Sequence, residues 1–301
     1  MILVTGAAGF VGSRIITRLA GQGERPRALV RNIAQAQGRL PTDGVEIVVG
    51  DTTRPETLGA ALAGVDTVVH CAFITADRKP GPGANYYDTN VTGTRNLVAA
   101  ARNAGVKRIN VMGGLGTRPA KSGSYMQTRY EADQAVKQSG LAWSILGPSI
   151  QFGQGAAFFK GLADLIKGMP LVVPVVGSGN LKFQPIWVED VTTCVLKMAQ
   201  EPAEYDGRVI EVGGPETLTY NQILDLLMHN LHANRIKAPG PKPLVKLGAA
   251  MMSAVMSKPP ITPAAVELFD FDNTTDLDSV ERNFGFVPLS FRAYLAEHGV
   301  S

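Results

Sequence analysis

Short runs of apolar residues alternate with amphipathic segments through the first half of this chain. Each run is rich in Val, Ile and Leu, which is typical of strands that are buried on both faces. The segments between them repeat apolar residues every three or four positions, as one face of a helix does. The predicted strands are 2–5, 26–30, 45–49, 66–71, 107–112 and 141–146, and the predicted helices lie near 10–22, 55–63, 85–104 and 122–139.

Strand, helix and strand in this order predict right-handed crossovers and a parallel sheet that is covered on both faces. We therefore expect an α/β fold with a doubly wound parallel sheet. The pattern changes after Gly147, where Gly and Pro become frequent around a single helix at 156–167. We expect one domain over 1–147, with 181–200 returning to it, and a smaller, mostly helical lobe over 148–180 and 201–301.

The first predicted strand runs directly into three evenly spaced glycines, and an amphipathic helix follows them. Gly6 allows a sharp turn, Gly9 allows the backbone to approach a pyrophosphate, and Gly12 allows the helix to pack near the strand. The helix N-terminus offers N–H groups and a partial positive charge to phosphates. The alternative is a turn that only packs the first strand against its helix. The predicted nucleotide-binding residues of this segment are Thr5, Gly6, Gly9, Phe10, Val11, Gly12 and Arg14.

The second strand predicts which nucleotide is bound. NAD-specific sites place an acidic residue there to bind the ribose 2′-hydroxyl, but this strand ends in Arg31 and Asn32. Arg31 can bind a 2′-phosphate through charge-assisted hydrogen bonds, and Arg14 adds a second positive charge. We expect NADP(H) to be preferred and NAD(H) to be possible, unless Arg31 is only a solvated residue at the end of a strand.

Composition narrows the class of protein further. The 301 residues carry 29 basic and 26 acidic side chains, a net charge of +3 without a basic cluster, so we expect no nucleic-acid partner. Two cysteines, Cys71 and Cys194, form no disulfide framework, and no apolar run reaches the ~20 residues of a membrane span. With a strand beginning at residue 2 and no signal peptide, we expect a cytoplasmic protein. No metal site is predicted.

Nearly the whole chain resembles the extended and atypical short-chain dehydrogenases/reductases, which include NAD(P)-dependent epimerase/dehydratase-like proteins. It looks most like the branch with the dehydrogenase-like accessory subunit of respiratory complex I and its bacterial relatives, which hold a nucleotide, usually NADPH, in a Rossmann domain. The segments that carry the resemblance are TGAAGFVG at 5–12, GDTT at 50–53, HCA at 70–72, NVTGTRN at 90–96, SYMQTRYEAD at 124–133, LGPSI at 146–150, FQPIWVEDV at 183–191, GGPE at 213–216 and TY at 219–220.

The resemblance implies further nucleotide contacts. Asp51 corresponds to a residue near the adenine amino group, although a helix cap or loop turn is equally compatible with it. Asn90 corresponds to an amide that supports the active-site loop, and the alternative is a surface helix amide. His70 is interpreted as a core histidine and Cys71 as a packed side chain. The remaining residues that the resemblance implies for the nucleotide site are Thr52, Cys71, Ala72, Phe73, Met112, Pro148, Ser149 and Ile150.

The catalytic set that the resemblance implies is incomplete. Reductases of this family use Ser, Tyr and Lys, with Tyr and Lys four residues apart on one helix face. Here Tyr125 matches the Tyr and Arg129 occupies the Lys position, while both candidate positions for the Ser, 113 and 114, are glycine. We expect Arg129 to bind ribose hydroxyls and to acidify Tyr125. The alternative is that Tyr125 packs against the nucleotide without chemistry. Thr117, Ser122 and Ser124 are candidates for the missing hydroxyl.

The sequence is compatible with three alternative functions. The first is a reductase of an apolar carbonyl or quinone-like substrate. The second is a non-catalytic nucleotide-binding sensor or an accessory subunit of a membrane-associated respiratory complex, peripheral at the inner face of the membrane. A nucleotide-sugar epimerase or dehydratase is weaker, because such enzymes generally need the intact Ser, Tyr and Lys. In the second lobe, the helical segment 243–256 has three methionines near one face, which favours core packing but also allows a membrane-facing patch.

Overall fold

A computed structural model of the chain describes residues 1–300, with all their side chains except that of Gln35. It contains a seven-stranded sheet and three two-stranded sheets. The strands are β1 Ile2–Thr5, β2 Arg27–Val30, β3 Glu46–Val49, β4 Thr67–His70, β5 Arg108–Met112, β6 Ala142–Pro148, β7 Gln151–Phe152, β8 Val172–Val176, β9 Lys182–Phe183, β10 Ile186–Trp187, β11 Arg208–Val212, β12 Leu218–Thr219 and β13 Ile236–Gly240.

The helices follow the predicted alternation through the first half of the chain. Residues Tyr87–Thr92 form wide, π-helical turns that lead directly into the third helix. The helices are α1 Gly12–Gly21, α2 Leu58–Leu62, α3 Gly93–Asn103, α4 Tyr125–Lys137, α5 Ala157–Gly168, α6 Val188–Gln200, α7 Tyr220–Asn230, α8 Lys242–Val255, α9 Pro263–Glu267, α10 Ser279–Phe284 and α11 Phe291–His298.

The large sheet has the strand order β11-β6-β5-β4-β1-β2-β3. The chain adds β2 and β3 on one side of β1 and then returns to add β4, β5 and β6 on the other side, which confirms the predicted doubly wound α/β fold. Adjacent strands from β3 to β6 pair in parallel, with Thr5 opposite His70 and Val30 opposite Val49. In such sheets, ligands bind outside the carboxyl ends of the strands near the reversal point. The fold therefore places the segments after β1, β2 and β4 where a nucleotide is expected.

Apolar residues from both the strands and their helices form the core of the first unit. Leu3, Val68 and Ile109 of the sheet are fully buried against Leu58 and Leu97 of the flanking helices. This packing explains the apolar runs of β1, β4 and β5, which are buried except at their first residue. The expectation of burial on both faces is wrong for the edge strand β3, where Ile47 is 39% and Val49 51% exposed.

The described chain forms two compact units. The first consists of 1–74, 80–147 and 191–210, and the second of 75–79, 148–190 and 211–300. The segment that returns to the first unit is thus 191–210, whereas the sequence suggested 181–200. In the second unit, β8 and β13 pair in parallel with Val172 opposite Ile236. Among the helices described between residues 1 and 300, none combines the length and the apolar content that crossing a bilayer requires.

Candidate functional site

The glycine-rich loop between β1 and α1 is folded so tightly that its three glycines cannot carry a side chain without displacing backbone atoms. Gly6 has a positive φ of 64°, and a Cβ there would lie 2.6 Å from the carbonyl oxygen of Cys71. The N–H of Gly9 donates to the Gly6 carbonyl at 2.8 Å, and a Cβ on Gly9 would lie 2.9 Å from the same oxygen. A Cβ on Gly12 would overlap that oxygen too. Gly12 is therefore required by the turn, because any side chain there would displace the Gly6 carbonyl.

The start of α1 is open to an anion. Among the described residues, no side chain caps its first turn, and that turn contains no acidic residue. Arg14 lies within it, where one guanidinium nitrogen donates to the carbonyl of Phe10 at 2.6 Å and the group lies 4.7 Å from the Phe10 ring centroid. The helix dipole and this cation together favour a phosphate at the loop.

Two arginines follow β2. Arg31 directly follows the carboxyl end of β2, and its side chain is exposed. Arg39 lies in the next loop, and its guanidinium donates to the carbonyl of Ala8, inside the glycine-rich loop, at 3.2 Å. Sequence reasoning missed Arg39, because nothing in its local pattern distinguishes it from a solvated loop residue. Only the folded loop brings it to the glycines.

Asp51, after β3, forms a local turn. One of its carboxylate oxygens accepts from the N–H of Thr53 at 2.9 Å and from its hydroxyl at 2.8 Å. The neighbouring Thr52 is buried, and its carbonyl accepts from Asn96 at 3.0 Å. The loop-turn alternative for Asp51 is therefore realised, and its predicted contact with adenine stays a prediction.

A chain of hydrogen bonds fixes the segment after β4. The hydroxyl of Thr94 donates to the carbonyl of Asn90 at 2.6 Å, so at 3.0 Å it accepts from Nε2–H of His70. Nδ1 of His70 then accepts the hydroxyl proton of Thr5 at 2.7 Å, and the Thr5 oxygen accepts from the N–H of Cys71 at 3.3 Å. The side chain of Thr5 is therefore buried, and it stabilises the start of the segment 71–74, which is predicted to lie against the nucleotide.

Asn90 extends the same support. Its amide accepts from the N–H of Ile74 at 2.9 Å and donates to the carbonyl of Ile74 at 3.1 Å, which pins the end of the segment 71–74. Burial raises the pKa of the Cys71 thiol to about 12, against the opposing effect of the Arg129 charge. A thiol with that pKa stays protonated near neutral pH, so Cys71 is not a reactive nucleophile.

Protonation of His70 is expected to control the acid stability of the first unit. Burial, helped by the positive charge of Arg129, lowers the pKa of His70 from 6.5 to about 3. Because the unfolded chain binds this proton first, the stabilisation is complete above pH 6.5 and is lost as the pH falls towards 3. The free energy of unfolding should fall by about 2–3 kcal/mol from this group between pH 7 and 4.5.

The measurement is urea unfolding at both pH values for the wild type and for His70→Asn. Subtracting the result for one protein from that for the other cancels the contribution of the other titrating groups. On acidification, the free energy of unfolding of His70→Asn should therefore fall by less than that of the wild type, and the difference should equal the contribution of His70. His229→Asn, which removes an exposed histidine of α7, serves as the control. An equal loss of stability in all three proteins would mean that His70 does not stay neutral in the folded state.

Tyr125 is the first residue of α4, whose N-terminus is capped by the hydroxyl of Ser124. Its half-buried ring meets the edge of the Tyr86 ring, with centroids 5.4 Å apart and planes at 72°. Tyr86, which lies just before the π-helical turns, was not singled out from the sequence. The two rings form an aromatic pair in the first unit, and Tyr125 lies four residues before Arg129, which is predicted to bind the ribose hydroxyls.

Arg129 lies one turn further along α4, but its guanidinium is committed to protein groups. It is 3% exposed, donates to the carbonyl of Met112 at 2.6 Å, and lies 3.7 Å from the ring centroid of Phe73. Its Nε has no hydrogen-bond partner among residues 1–300. Burial raises the pKa of Asp133, a further turn along, against the opposing effect of Arg129. Contact of Arg129 with ribose hydroxyls stays a prediction.

The two glycines at the missing serine position are not equivalent. A Cβ on Gly113 would lie 2.8 Å from Ile145 and 2.9 Å from the carbonyl of Leu146, whereas a Cβ on Gly114 would have Thr117 as its nearest neighbour, at 3.7 Å. The Thr117 hydroxyl already donates to the Gly114 carbonyl at 2.7 Å. Position 114 can therefore accept a side chain, and position 113 cannot without a shift of β6.

In the second unit, Asn273 organises the segment that the resemblance assigned to the nucleotide. Its side-chain oxygen accepts from the Ser149 hydroxyl at 2.7 Å and from the N–H of Ile150 at 3.0 Å. Pro148 and Ser149 are buried. Phe152 and Phe159 pack against Phe291, with ring centroids 5.1 and 4.6 Å away, so these two rings are core residues of this unit.

Comparisons with known proteins agree with this geometry. Residues 6–152 match a family of domains described as NAD(P)H-binding. An NAD(P)H azoreductase of Xenophilus azovorans is 29% identical over 225 residues, which cover 73% of this chain and 70% of the relative. A mitochondrial NADH dehydrogenase [ubiquinone] 1 alpha subcomplex subunit 9 of Arabidopsis thaliana is 21% identical over 91% of this chain and 68% of its own.

Among solved structures, an NADPH-dependent quinone oxidoreductase of Escherichia coli in complex with NADPH superimposes with a TM-score of 0.74. The match covers 99% of both chains at 20% identity. At that identity the likeness shows a common fold.

Proposed function

Because residues 6–152 form an NAD(P)-binding domain whose homologues belong to the atypical short-chain dehydrogenase/reductase and epimerase family, we propose that this chain is a reductase that prefers NADPH and acts on an apolar carbonyl or quinone-like substrate. One observation carries the proposal. The glycine-rich loop is intact and Tyr125 is retained, while the other two members of the expected catalytic set are changed, with glycine at both candidate Ser positions and Arg129 at the Lys position. Such a site keeps hydride transfer and suits acceptors that need little proton assistance. The azoreductase and quinone oxidoreductase names among the similar proteins point in the same direction.

The nucleotide supplies a hydride when it is bound, and the residues of the chain have the remaining tasks. Gly6, Gly9 and Gly12 keep the loop clear for the pyrophosphate, and Tyr125 is the candidate proton donor to a carbonyl oxygen. A quinone-like acceptor takes the hydride and one proton to become the hydroquinone, and that proton can come from Tyr125 or from water. An apolar acceptor of this kind dissolves in lipid, so the proposal includes a place at the inner face of a membrane.

NADPH should bind more tightly than NADH because of Arg31 and Arg39. The two residues directly after β2 are Arg31 and Asn32, so no carboxylate at the end of this strand repels a 2′-phosphate. Arg39 is anchored on the carbonyl of Ala8. Each charge-assisted contact contributes about 1.5–3 kcal/mol, which is about tenfold or more in affinity. Calorimetric titration of both nucleotides should show Arg31→Ala and Arg39→Ala each losing affinity for NADPH and leaving that for NADH nearly unchanged.

Arg25→Ala is the matched control for this titration, since it removes an exposed arginine before the other end of β2. Equal binding of NADH and NADPH by the wild type would contradict the preference. If Arg31→Ala and Arg39→Ala both kept the preference, other residues would have to bind the 2′-phosphate.

A non-catalytic nucleotide-binding sensor or accessory subunit is the second candidate, and the burial of Arg129 beneath Phe73 favours it. In that role, Arg129 would stabilise the Met112 carbonyl and have no part in chemistry. Stopped-flow oxidation of bound NADPH by quinones, aldehydes, ketones and nucleotide sugars separates the candidates. Reoxidation by a quinone supports the reductase. Firm NADPH binding with no reoxidation supports the second candidate, and turnover of a nucleotide sugar supports an epimerase or dehydratase.

A further inference from the structure

The solvent-facing side of α8, in the second unit, consists of apolar residues. Four large side chains are exposed there: Leu244 to 65%, Leu247 to 58%, Met251 to 65% and Val255 to 86%. Their spacing of three, four and four residues places them on one helix face. The other exposed residues within the described helix are Pro243, Ala250 and Ala254. We call these seven residues the α8 face.

The polar side chains of α8 lie on the opposite side. The ammonium group of Lys246 is 2.6 Å from the carboxylate of Glu267, and Lys242 pairs with Asp270. Ala249, on the same side of the helix, is fully buried. These contacts hold α8 with its larger apolar residues turned outwards, the reverse of an ordinary surface helix. A contiguous apolar patch of this kind marks an interaction site.

The charge around the α8 face identifies its occupant. Residues 226–266 contain no Asp or Glu but five basic residues, and the acids that pair with Lys242 and Lys246 lie beyond that segment. At the C-terminal end of α8, Lys79 donates to the carbonyl of Ser253 at 2.6 Å, and the exposed Lys258 follows three residues after the helix. Cations beside an apolar face complement an anionic lipid surface. A second copy of the same face would bring like charges together.

We propose that the α8 face docks onto an anionic lipid membrane. Leu244, Leu247, Met251 and Val255 enter the interface between headgroups and acyl chains, while Lys79 and Lys258 lie at the level of the headgroups. The helix lies in the plane of the surface and does not span it. The inference gives a surface for the membrane location that the reductase proposal includes, but docking needs neither nucleotide nor turnover, so it can fail while the reductase activity holds.

The test is co-flotation of the full chain, without nucleotide, with vesicles of phosphatidylcholine containing phosphatidylserine. Leu244→Gln, Leu247→Gln and Met251→Gln combined should weaken binding about tenfold or more, since the apolar area that enters the lipid is removed. Lys258→Glu should weaken binding to these vesicles more than to pure phosphatidylcholine. Leu277→Gln with Val287→Gln is the matched control, because both residues are exposed apolar positions outside the α8 face.

Thermal unfolding checks that the triple variant is folded. We expect it to be folded, because all three substituted side chains are exposed. Binding by the wild type and the control, with loss in the triple variant, supports the proposal. Equal binding to neutral and anionic vesicles overturns its electrostatic part. Absence of vesicle binding overturns it altogether, and light scattering would then tell whether the α8 face instead pairs two copies of the chain.

Discussion

Replacing Gly9 by valine is expected to weaken NADPH binding more than about 100-fold, which corresponds to about 2.7 kcal/mol. A Cβ at this position would lie 2.9 Å from the Gly6 carbonyl, so the turn must open, and the branched side chain would occupy the surface that the pyrophosphate needs. The loss should appear in calorimetric titration. Circular dichroism and thermal unfolding should show that the fold is retained, because Gly9 is only half-buried and belongs to no strand or helix.

Gly21→Val is the matched control for this substitution. Gly21 is the last residue of α1, and a Cβ there would meet nothing within 4 Å in the described part of the chain. It should bind NADPH as the wild type does. If Gly9→Val bound NADPH with unchanged affinity, the pyrophosphate would not lie on this turn and the assignment of the nucleotide site would be wrong.

Tyr125→Phe is expected to lower NADPH-dependent reduction of carbonyl substrates by about 10²–10⁴-fold while leaving nucleotide affinity nearly unchanged. The phenol hydroxyl is the candidate proton donor. Phenylalanine lacks this hydroxyl but keeps the ring that packs edge-on against Tyr86. Without the Ser and Lys of related reductases, turnover on generic ketones should be slow from the outset. Tyr130→Phe, a half-buried tyrosine on the same helix, is the control. Single-turnover measurements separate the chemical step from binding.

The two glycines give this experiment a second arm. Gly114→Ser combined with Arg129→Lys should raise turnover, since a side chain fits at 114 and a lysine ammonium replaces the bulkier guanidinium at the Lys position of the set. Gly113→Ser with the same second change should not, because its Cβ collides with Ile145 and Leu146. Turnover that survives Tyr125→Phe would identify another proton donor, or an acceptor such as a quinone that needs none from the protein.

The first half of the fold and the nucleotide loop could be predicted from the sequence because their signals are local. A buried parallel strand needs a continuous apolar run, and the turn after β1 needs glycine wherever a Cβ would meet backbone. The Tyr125 and Arg129 pair is local as well, being one helical turn apart. The strand Ile236–Gly240 was not among the predicted strands, because Pro239 and Gly240 disfavour a strand and only the pairing with β8 makes it one.

Tertiary structure decided what the side chains at these positions do. Arg39 reaches Ala8 across 31 residues of chain, and the bonds of His70 join Thr5 to Thr94, which are 89 residues apart in the sequence. The side chain of Arg129 bonds to Met112 rather than standing free, although its position in α4 was predictable. For α8, periodicity predicts one apolar face but not which side packs. Two ion pairs and a buried alanine settle that, because a helix orients by its contacts with other segments.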